Sequence, residues 1–410
     1  MKYFKRLPIL LSVMGPGIMV MLADTDAGCI VTAAQTGALF GYAMIIPQLL
    51  LIPVLYFVQE ITVRLGILTK KGHAELIREH FGKKWGYVSV VTLFITCIGA
   101  LITDFAGIAG IGEILHIPSW VSVPVITLAL IIIGFSGSYR RVERIGIALG
   151  LLELFFIVAI FIIHPEPGSV VQGITNIPLR NHDFLFLLAA NIGAVIMPWM
   201  IFYQQGAIVD KSLTGKKKIN FARWDTFIGA VLTQVIMISV IVLLAYATSS
   251  KAISLEKVQD IVPVLQPVLG NNGIILFYLG LLGGGFIGAL VVSLAASWSL
   301  GELFRQPHSL NLPFRKAKGF YTTYTISHIG GALLVLSGIP LVALTINIEV
   351  MNALLLPVVL GLLLALEQKA LPEGYRMYGL KKVSVWTVSS AVILFGLFMA
   401  GGLVFHTMNP

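Results

Sequence analysis

The chain has 410 residues, of which 57% are hydrophobic and only 11% are charged, with a mean hydropathy of +0.92. Soluble domains carry about 25% charged residues, so the composition excludes an ordinary soluble protein and indicates a polytopic membrane protein. The formal net charge is +9, but the basic residues are concentrated in alternate loops, which indicates membrane topology and not nucleic-acid binding.

Eleven apolar segments are each long enough to span a bilayer. We predict helices, in chain order, over residues 9–38, 41–66, 86–115, 120–137, 145–164, 183–208, 223–248, 271–304, 319–337, 343–366 and 382–405. The longest polar stretches, residues 70–84, 164–183, 251–266 and 305–318, are predicted to be loops. The sequence therefore predicts one all-α membrane domain without a separate soluble domain.

The distribution of basic residues predicts the orientation of these spans. Basic residues precede the first span and follow the second, fourth, sixth, eighth and tenth, whereas the other loops contain only Arg180, Lys251 and Lys257. The positive-inside rule then places the N-terminus in the cytoplasm and the C-terminal residues 406–410 outside a cell membrane, plasma or inner. The first span continues past two aspartates without a cleavage site, so we expect it to be retained and not removed as a signal peptide.

Two spans contain residues that a membrane helix normally avoids. The first carries Asp24 and Asp26 within residues 23–29, and the sixth is interrupted within residues 191–199. A carboxylate at the bilayer centre costs roughly 2.5–3.5 kcal/mol, so it is expected to face a cavity, a partner or an ion. Interrupted spans in corresponding positions indicate the central site of an inverted-repeat transporter. We predict repeats over residues 1–164 and 183–366, with residues 382–405 as an extra helix.

Residues at these interruptions form the predicted metal site. Oxygens from the Asp26 side chain and from the backbone of Ala23 and Ala194 suit a divalent cation, while Met197 and Cys29 add soft sulfur donors. A mixed hard and soft ligand set favours a transition metal. For Asp26 the alternative is a buried carboxylate that pairs with a helix N-terminus or a neighbouring polar group. Asp24 points into the same cavity if its segment is extended, which makes it a candidate second carboxylate or vestibule residue, and points elsewhere if the segment is helical.

The second span and the loop after it are the most specific part of the sequence. Residues 59–82 (QEITVRLGILTKKGHAELIREHFG), supported by residues 15–17, 103–104 and 193–198, resemble the Nramp family of divalent metal transporters, which have the LeuT-type fold of five plus five helices with helices one and six broken. By position, the resemblance implies that metal is held by Asp26, Met197, Cys29, Ala23 and Ala194.

The chain also departs from the family pattern. The family's asparagine ligand and the proline before it are replaced by Cys29 and Ala27, and its histidine after Met-Pro is replaced by Trp199. Gly107 replaces a glutamate of the third helix, and Leu355 replaces a glutamine of the tenth, which removes polar support for the ion. The usual proton route therefore looks dismantled.

Several other polar residues lie in predicted spans. Asp104 and His328, which lacks the family's arginine pair, are candidate proton-related residues, with hydrogen-bonded structural roles as the alternative. Trp199, Gln204 and Gln205 are predicted to line a gate. For four acidic residues we expect only interface contacts: Glu153, Asp225, Glu302 and Glu349.

We predict a secondary-active or facilitated importer of Mn²⁺-like or Fe²⁺-like ions that works by alternating access, with proton symport unsupported by the usual residues. Two alternatives stay open: a Mg²⁺ or broad divalent uniporter driven by the membrane potential, and a LeuT-type symporter of a small organic solute. No enzyme motif is present. The expected partners are the metal ion as substrate and the lipid bilayer, without a resident cofactor, nucleic acid or obligatory protein partner.

Overall fold

The computed structural model describes residues 14–248, 253–255, 258–337 and 341–408, and within these ranges the regular structure is helical. The predicted first turn of the first span (residues 9–13), Lys251 and Lys257 lie outside the described residues. The helices are α1 (Pro16–Asp24), α2 (Ala27–Phe40), α3 (Ile45–Thr69), α4 (His73–Phe81), α5 (Lys83–Ile114), α6 (Ser119–Gly134), α7 (Tyr139–Gly150), α8 (Leu154–Ile163), α9 (Pro167–Thr175), α10 (His182–Val195), α11 (Pro198–Asp210), α12 (Lys216–Ala247), α13 (Ile261–Phe304), α14 (Lys318–Leu336), α15 (Leu341–Ala370) and α16 (Gly379–Met408).

Each predicted span corresponds to one helix or to a pair of helices separated by a break. Among the described residues, eight helical segments are long and apolar enough to cross a membrane. The two predicted interruptions are present, because α1 ends at Asp24 before α2 begins, and α10 ends at Val195 before α11 begins. The division of the chain into two repeats stays a prediction.

Three of the predicted loops are partly helical, so the prediction is wrong there. Residues 73–81 form α4, which buries Ala74, Leu76 and Ile77 on one face, and residues 167–175 form α9. Both helices are too short and too polar for a span, which is why span length did not reveal them. Helix α13 begins at Ile261 and changes direction at Gly270, whose positive φ of 68° favours glycine.

The broken helices lie at the centre of the bundle. Almost every residue of α1, α2 and α11 is buried, and so is the part of α10 next to the break, residues 189–195. Helix α12 packs against α1, α2 and α3, while α10 packs against α15 and α13 packs against α5 and α14. Helix α16 is peripheral and packs mainly on α15. This arrangement surrounds the two breaks with protein on all sides.

Candidate metal centre

The break in the first span places Asp26 at the start of α2. Its backbone is extended (φ −62°, ψ 175°), and its Oδ1 accepts a hydrogen bond from the backbone N–H of Cys29 at 2.8 Å. This N-cap satisfies one of the free amides of the first helical turn. Oδ2 is buried without a hydrogen-bond partner among the described residues. One oxygen of this carboxylate is therefore available to a cation.

Cys29 connects the two broken spans. Its Sγ donates a hydrogen bond to the backbone carbonyl of Ala194 at 3.3 Å, and Ala194 lies in the last turn of α10. Ala23 occupies the equivalent position in the last turn of α1. Carbonyls in a last turn lack partners within their own helix and can bind a ligand. The structure thus brings Asp26, Cys29 and Ala194 together, as the resemblance implied.

Glu349 on α15 joins this group. One ligand atom from each of Asp26, Cys29 and Glu349 lies within 4.8 Å of the other two, and all three side chains are buried. Asn352 donates a hydrogen bond to Oε2 of Glu349 at 2.9 Å, while Oε1 is unpartnered within the described ranges. The expected interface role for Glu349 is wrong. Glu349 and Asn352 thus place polar groups of the tenth span beside the break, one or two turns before the apolar Leu355.

A signal for Glu349 was present in the sequence. An ionisable residue inside a predicted span is by default a functional-site candidate. Glu349 lies close to the predicted beginning of its span at residue 343, which suggested a position at the membrane surface. In the structure, α15 begins at Leu341, and Glu349 lies in its interior beside Asp26 and Cys29.

Three more buried carboxylates lie around the group: Asp24, Asp104 and Glu153. Asp104 accepts a hydrogen bond from the backbone N–H of Ala27 at 3.3 Å, and Glu153 accepts one from the Thr25 hydroxyl. Both oxygens of Asp24 and one oxygen of each of the other two have no partner in the part of the chain that the structure describes. The expected interface role for Glu153 is therefore also wrong.

The five carboxylates form a region of one sign of charge. The charged side chains that interact electrostatically with Asp24 are all acidic: Asp26, Glu349 and Glu153. None of the ion pairs between described residues includes a member of this group. Buried like charges repel one another strongly, so the arrangement is suited to a bound cation.

Close approach of α13 holds two of these carboxylates in place. A Cβ atom added at Gly288 would lie 2.7 Å from both carboxylate oxygens of Asp104 and 2.8 Å from Cβ of Asp26. Real Cβ atoms do not approach other atoms so closely, so a larger residue here would force the side chains of Asp104 and Asp26 to shift. Gly288 thus allows α13 to lie directly against both residues.

Met197 lies in the second break, as predicted. Its backbone is extended (φ −78°, ψ 136°) and precedes Pro198, the first residue of α11. The indole N–H of Trp199 donates to the Met197 sulfur at 3.2 Å, and both side chains are fully buried. The indole therefore orients the thioether, which retains a second lone pair for a metal.

The two candidate proton-related residues have different surroundings. Asp104 belongs to the carboxylate group described above. His328 lies on α14, where Nδ1 is 2.9 Å from the backbone carbonyl of Tyr324 and the ring contacts Phe105 edge-on. The hydrogen bonds of the described residues do not connect His328 with Asp104.

All three gate candidates lie on α11, and the two glutamines among them tie that helix to its neighbours. Gln204 accepts a hydrogen bond from Thr62 on α3 at 3.1 Å and donates one to Thr226 on α12 at 2.7 Å. Oε1 of Gln205 accepts a hydrogen bond from Nδ1 of His73 on α4 at 2.9 Å. Both glutamines are buried, so they close the bundle here instead of lining an open passage.

His73 is the buried titratable group of this closure. Burial lowers the pKa of its imidazole from 6.5 to about 4, because the charged form loses hydration, and the hydrogen bond with Gln205 opposes only part of this shift. The ring also packs edge-on against Phe202, with centroids 4.7 Å apart. His73 is therefore neutral where α4 is docked on α11.

Asp225 and Glu302 keep structural roles outside the carboxylate group. Asp225 accepts hydrogen bonds from the backbone N–H groups of Gly15 at 3.2 Å and Gly17 at 2.7 Å. Glu302 accepts one from the backbone N–H of Ala74 at 2.9 Å. Both carboxylates thus satisfy the free amides at the start of a helix.

Solvent does not reach the group of candidate ligands. Asp24 is 1% exposed, and Asp26, Cys29, Asp104, Glu153 and Glu349 are 0% exposed. An ion therefore enters or leaves only when the surrounding helices move. The arrangement can hold a dehydrated cation in an occluded state.

Comparison with known proteins relates this chain to a family. The sequence model of the family described as Nramp, natural resistance-associated macrophage protein-like, matches residues 17–400. The divalent metal cation transporter MntH of Verminephrobacter eiseniae is 25% identical over 300 residues, which cover 70% of this chain and 67% of that protein.

Two solved structures share the fold. The manganese transporter of Eremococcus coleocola, in complex with an aromatic bis-isothiourea compound, aligns with a TM-score of 0.76 at 20% identity, over 98% of this chain and 89% of that one. Mhp1, a nucleobase-cation-symport-1 family transporter, aligns with a TM-score of 0.65 at 13% identity, over 97% of this chain and 92% of that one. The predicted LeuT-type polytopic fold is confirmed.

Proposed function

Because the chain belongs to the natural resistance-associated macrophage protein-like (Nramp) family, we propose that it carries a divalent transition metal ion, Mn²⁺ or Fe²⁺, across the cell membrane. The supporting observation is the group of Asp26, Cys29 and Glu349, whose buried ligand atoms lie within 4.8 Å of one another beside the two helix breaks. The prediction of a metal-transporter family member and not an enzyme is confirmed by the family.

Hard and soft donors meet in this group. Asp26 and Glu349 supply carboxylate oxygens, the Ala194 carbonyl is already in contact with Cys29, and the Met197 thioether lies in the adjacent break. Two carboxylates balance the charge of one divalent ion, and sulfur donors favour transition metals over Mg²⁺. We assign Asp26, Cys29 and Glu349 as side-chain ligands, with Met197 and the carbonyls of Ala23 and Ala194 completing the shell as the helices move.

The direction of transport that we propose is import. Two positive charges that move down a membrane potential of 100 mV gain about 4.6 kcal/mol. With the basic loops in the cytoplasm, the ion enters from the opposite side and leaves when α11 separates from α3, α4 and α12. The contacts of Gln204 and Gln205 are the ones that break in that movement.

We propose that this transport does not require proton symport. Gly107 and Trp199 occupy positions where the family has titratable side chains, and His328 hydrogen-bonds within its own helix. Asp104 belongs to the carboxylate group around the ion, where it adds negative charge. The membrane potential supplies the driving force instead.

Mg²⁺ is the second candidate substrate. The observation in its favour is the number of carboxylates, since Asp24, Asp104 and Glu153 surround the ligand group and hard ions prefer oxygen. A small organic solute has less support. Its best indication was Trp199, and that indole donates to a sulfur within the packed interior.

Uptake into proteoliposomes at fixed membrane potential tests the proposal, with Mn²⁺, Cd²⁺ and Mg²⁺ outside and a pH dye inside. We expect Mn²⁺ and Cd²⁺ uptake without acidification, and loss of both in Asp26→Ala. Cys29→Ser should reduce Cd²⁺ uptake most, while Cys97→Ser, which changes a buried thiol bonded to the carbonyl of Val292, should have no effect. If the parent takes up Mg²⁺ and Cys29→Ser takes it up equally well, the protein is instead a carrier of hard ions. Absence of uptake of any of the three metals would overturn the proposal.

A further inference from the structure

A basic cavity of about 570 Å³ opens at the end of the bundle where α3 ends and α12 and α16 begin. Helices α12 and α16 both pack against α3, and the cavity is lined by one residue of α3, one of α12 and residues 374–381. The cavity is separate from the metal centre. Its cationic lining residues are Arg64, Arg223, Arg376 and Lys381.

The cations in this cavity outnumber the carboxylates that neutralise them. Glu60 pairs with Arg64 at 3.1 Å, with Arg223 at 2.6 Å and with Lys381 at 3.1 Å, so one carboxylate serves three cations. Arg64 also pairs with a second carboxylate, Glu367. Four cations and two carboxylates leave a net charge of +2.

Arg376 is the cation that lacks a carboxylate. Its Nε donates a hydrogen bond to the backbone carbonyl of Leu371 at 2.8 Å, and within the described ranges it forms no ion pair. Lys381 is also half-exposed, with 38% of its side chain accessible. The cavity therefore presents positive charge that an anion can neutralise.

A second cavity, of about 470 Å³, adjoins the first and shares Arg223 with it. Its other main lining residues are aromatic: Tyr56, Trp224 and Phe227. Trp224 is 59% exposed and Phe227 is 40% exposed. Because both residues belong to a membrane-spanning helix, their exposed side chains face lipid. Phe227 lies one helical turn beyond Arg223, toward the membrane interior.

We propose that the two cavities together bind one anionic phospholipid. The phosphate of the headgroup occupies the basic cavity, where Arg376 and Lys381 neutralise it, and an acyl chain follows the aromatic cavity along α12. Basic pockets between membrane helices and aromatic residues at the interface are the features that recognise such lipids. A free phosphate would use only the first cavity and would gain nothing from Trp224 and Phe227.

Lipid binding to the full-length protein tests this site. We would measure the melting temperature in nanodiscs of phosphatidylcholine with increasing fractions of phosphatidylglycerol, and count bound lipids by native mass spectrometry. Inorganic phosphate added to phosphatidylcholine nanodiscs distinguishes a free anion. The variants are Arg376→Gln and Lys381→Gln, and the matched control is Lys382→Gln, which removes the same charge one residue away, where Lys382 contacts Gln368 and does not line the cavity.

We expect phosphatidylglycerol to raise the melting temperature of the parent, and each cavity variant to weaken its binding about five-fold, the value of one basic contact at a membrane surface. Lys382→Gln should bind as the parent does. Equal weakening by Lys381→Gln and Lys382→Gln would reduce the effect to general surface charge and overturn the proposal. Equal stabilisation by inorganic phosphate, or no preference for phosphatidylglycerol, would overturn it as well.

Discussion

Replacement of Glu349 by glutamine should have opposite effects on the metal-free and the metal-bound protein. In the absence of metal, the ligand atoms of Asp26 and Glu349 lie within 4.8 Å of each other without a cation between them. At that separation and an effective dielectric constant of 20, two carboxylates repel each other by about 3.5 kcal/mol. A proton on either group relieves part of this repulsion, so the figure is an upper value for the gain in metal-free stability.

In the presence of metal, the same substitution removes a charged ligand. A loss of affinity of about 100-fold lowers the stabilisation by saturating metal by about 2.7 kcal/mol. We therefore expect Glu349→Gln to melt at a higher temperature than the parent in metal-free buffer, and to show a smaller rise on addition of Mn²⁺. Thermal unfolding of the purified protein, followed by tryptophan fluorescence with and without Mn²⁺, measures both effects.

Glu302→Gln is the matched control. Glu302 is also a buried glutamate in a span, but it caps the backbone of Ala74 and takes no part in the ligand group. This variant should lose some stability in both conditions and keep the full Mn²⁺-induced shift. A Glu349→Gln protein with the parent's metal-free stability and the parent's Mn²⁺ shift would refute the assignment of Glu349 as a ligand.

Three further predictions follow from the geometry. Cys29→Ser should lower the preference for Cd²⁺ over Mn²⁺ at least ten-fold in competition assays because it removes a soft donor, while Cys97→Ser should keep the parent's preference. Gly288→Ala should abolish metal uptake, because its Cβ would clash with carboxylate oxygens of the site. Gly361→Ala, whose Cβ meets open space, should transport normally. Equal uptake by the two variants would contradict the close packing at Gly288. The folded-state pKa of His73, about 4, is below its unfolded value near 6.5, so the unfolded state binds more protons. The free energy of unfolding should therefore fall by up to about 3 kcal/mol as the pH drops from 6.5 to 4. Hydrogen exchange of residues 73–81 should rise over that range in the parent and not in His73→Gln.

The positions of the spans and of both helix breaks follow from local sequence. Apolar segments of sufficient length must form helices in a bilayer, because unpaired backbone groups are too costly there. The aspartates of the first span and the Met197-Pro198 pair of the sixth then mark where helical hydrogen bonding stops. These features depend only on neighbours along the chain, and the structure has the breaks at residues 24–27 and 195–198.

The sequence does not predict the short helices α4 and α9, nor the start of α13 within residues 251–266, for a different reason. Helix α4 is stabilised by burial of Ala74 and Leu76 against other helices and by the contact of His73 with Gln205. These partners are distant in sequence, and the helix is too polar to be recognised by span length. Polar composition alone therefore predicted a loop.

Membership of the site was decided by tertiary packing. Glu349 is separated by more than 300 residues from Asp26, and it reaches the break because α15 packs closely on α10 at Gly193, where a Cβ would meet the backbone of α15. The sequence of a fully buried helix is apolar on every side. The position of a polar residue in such a span therefore indicates its depth in the membrane, but not which neighbouring helix it faces. The sequence by itself therefore determined the membrane class, the family and the two breaks, whereas only the packing of helices decided that Glu349 joins Asp26 and Cys29.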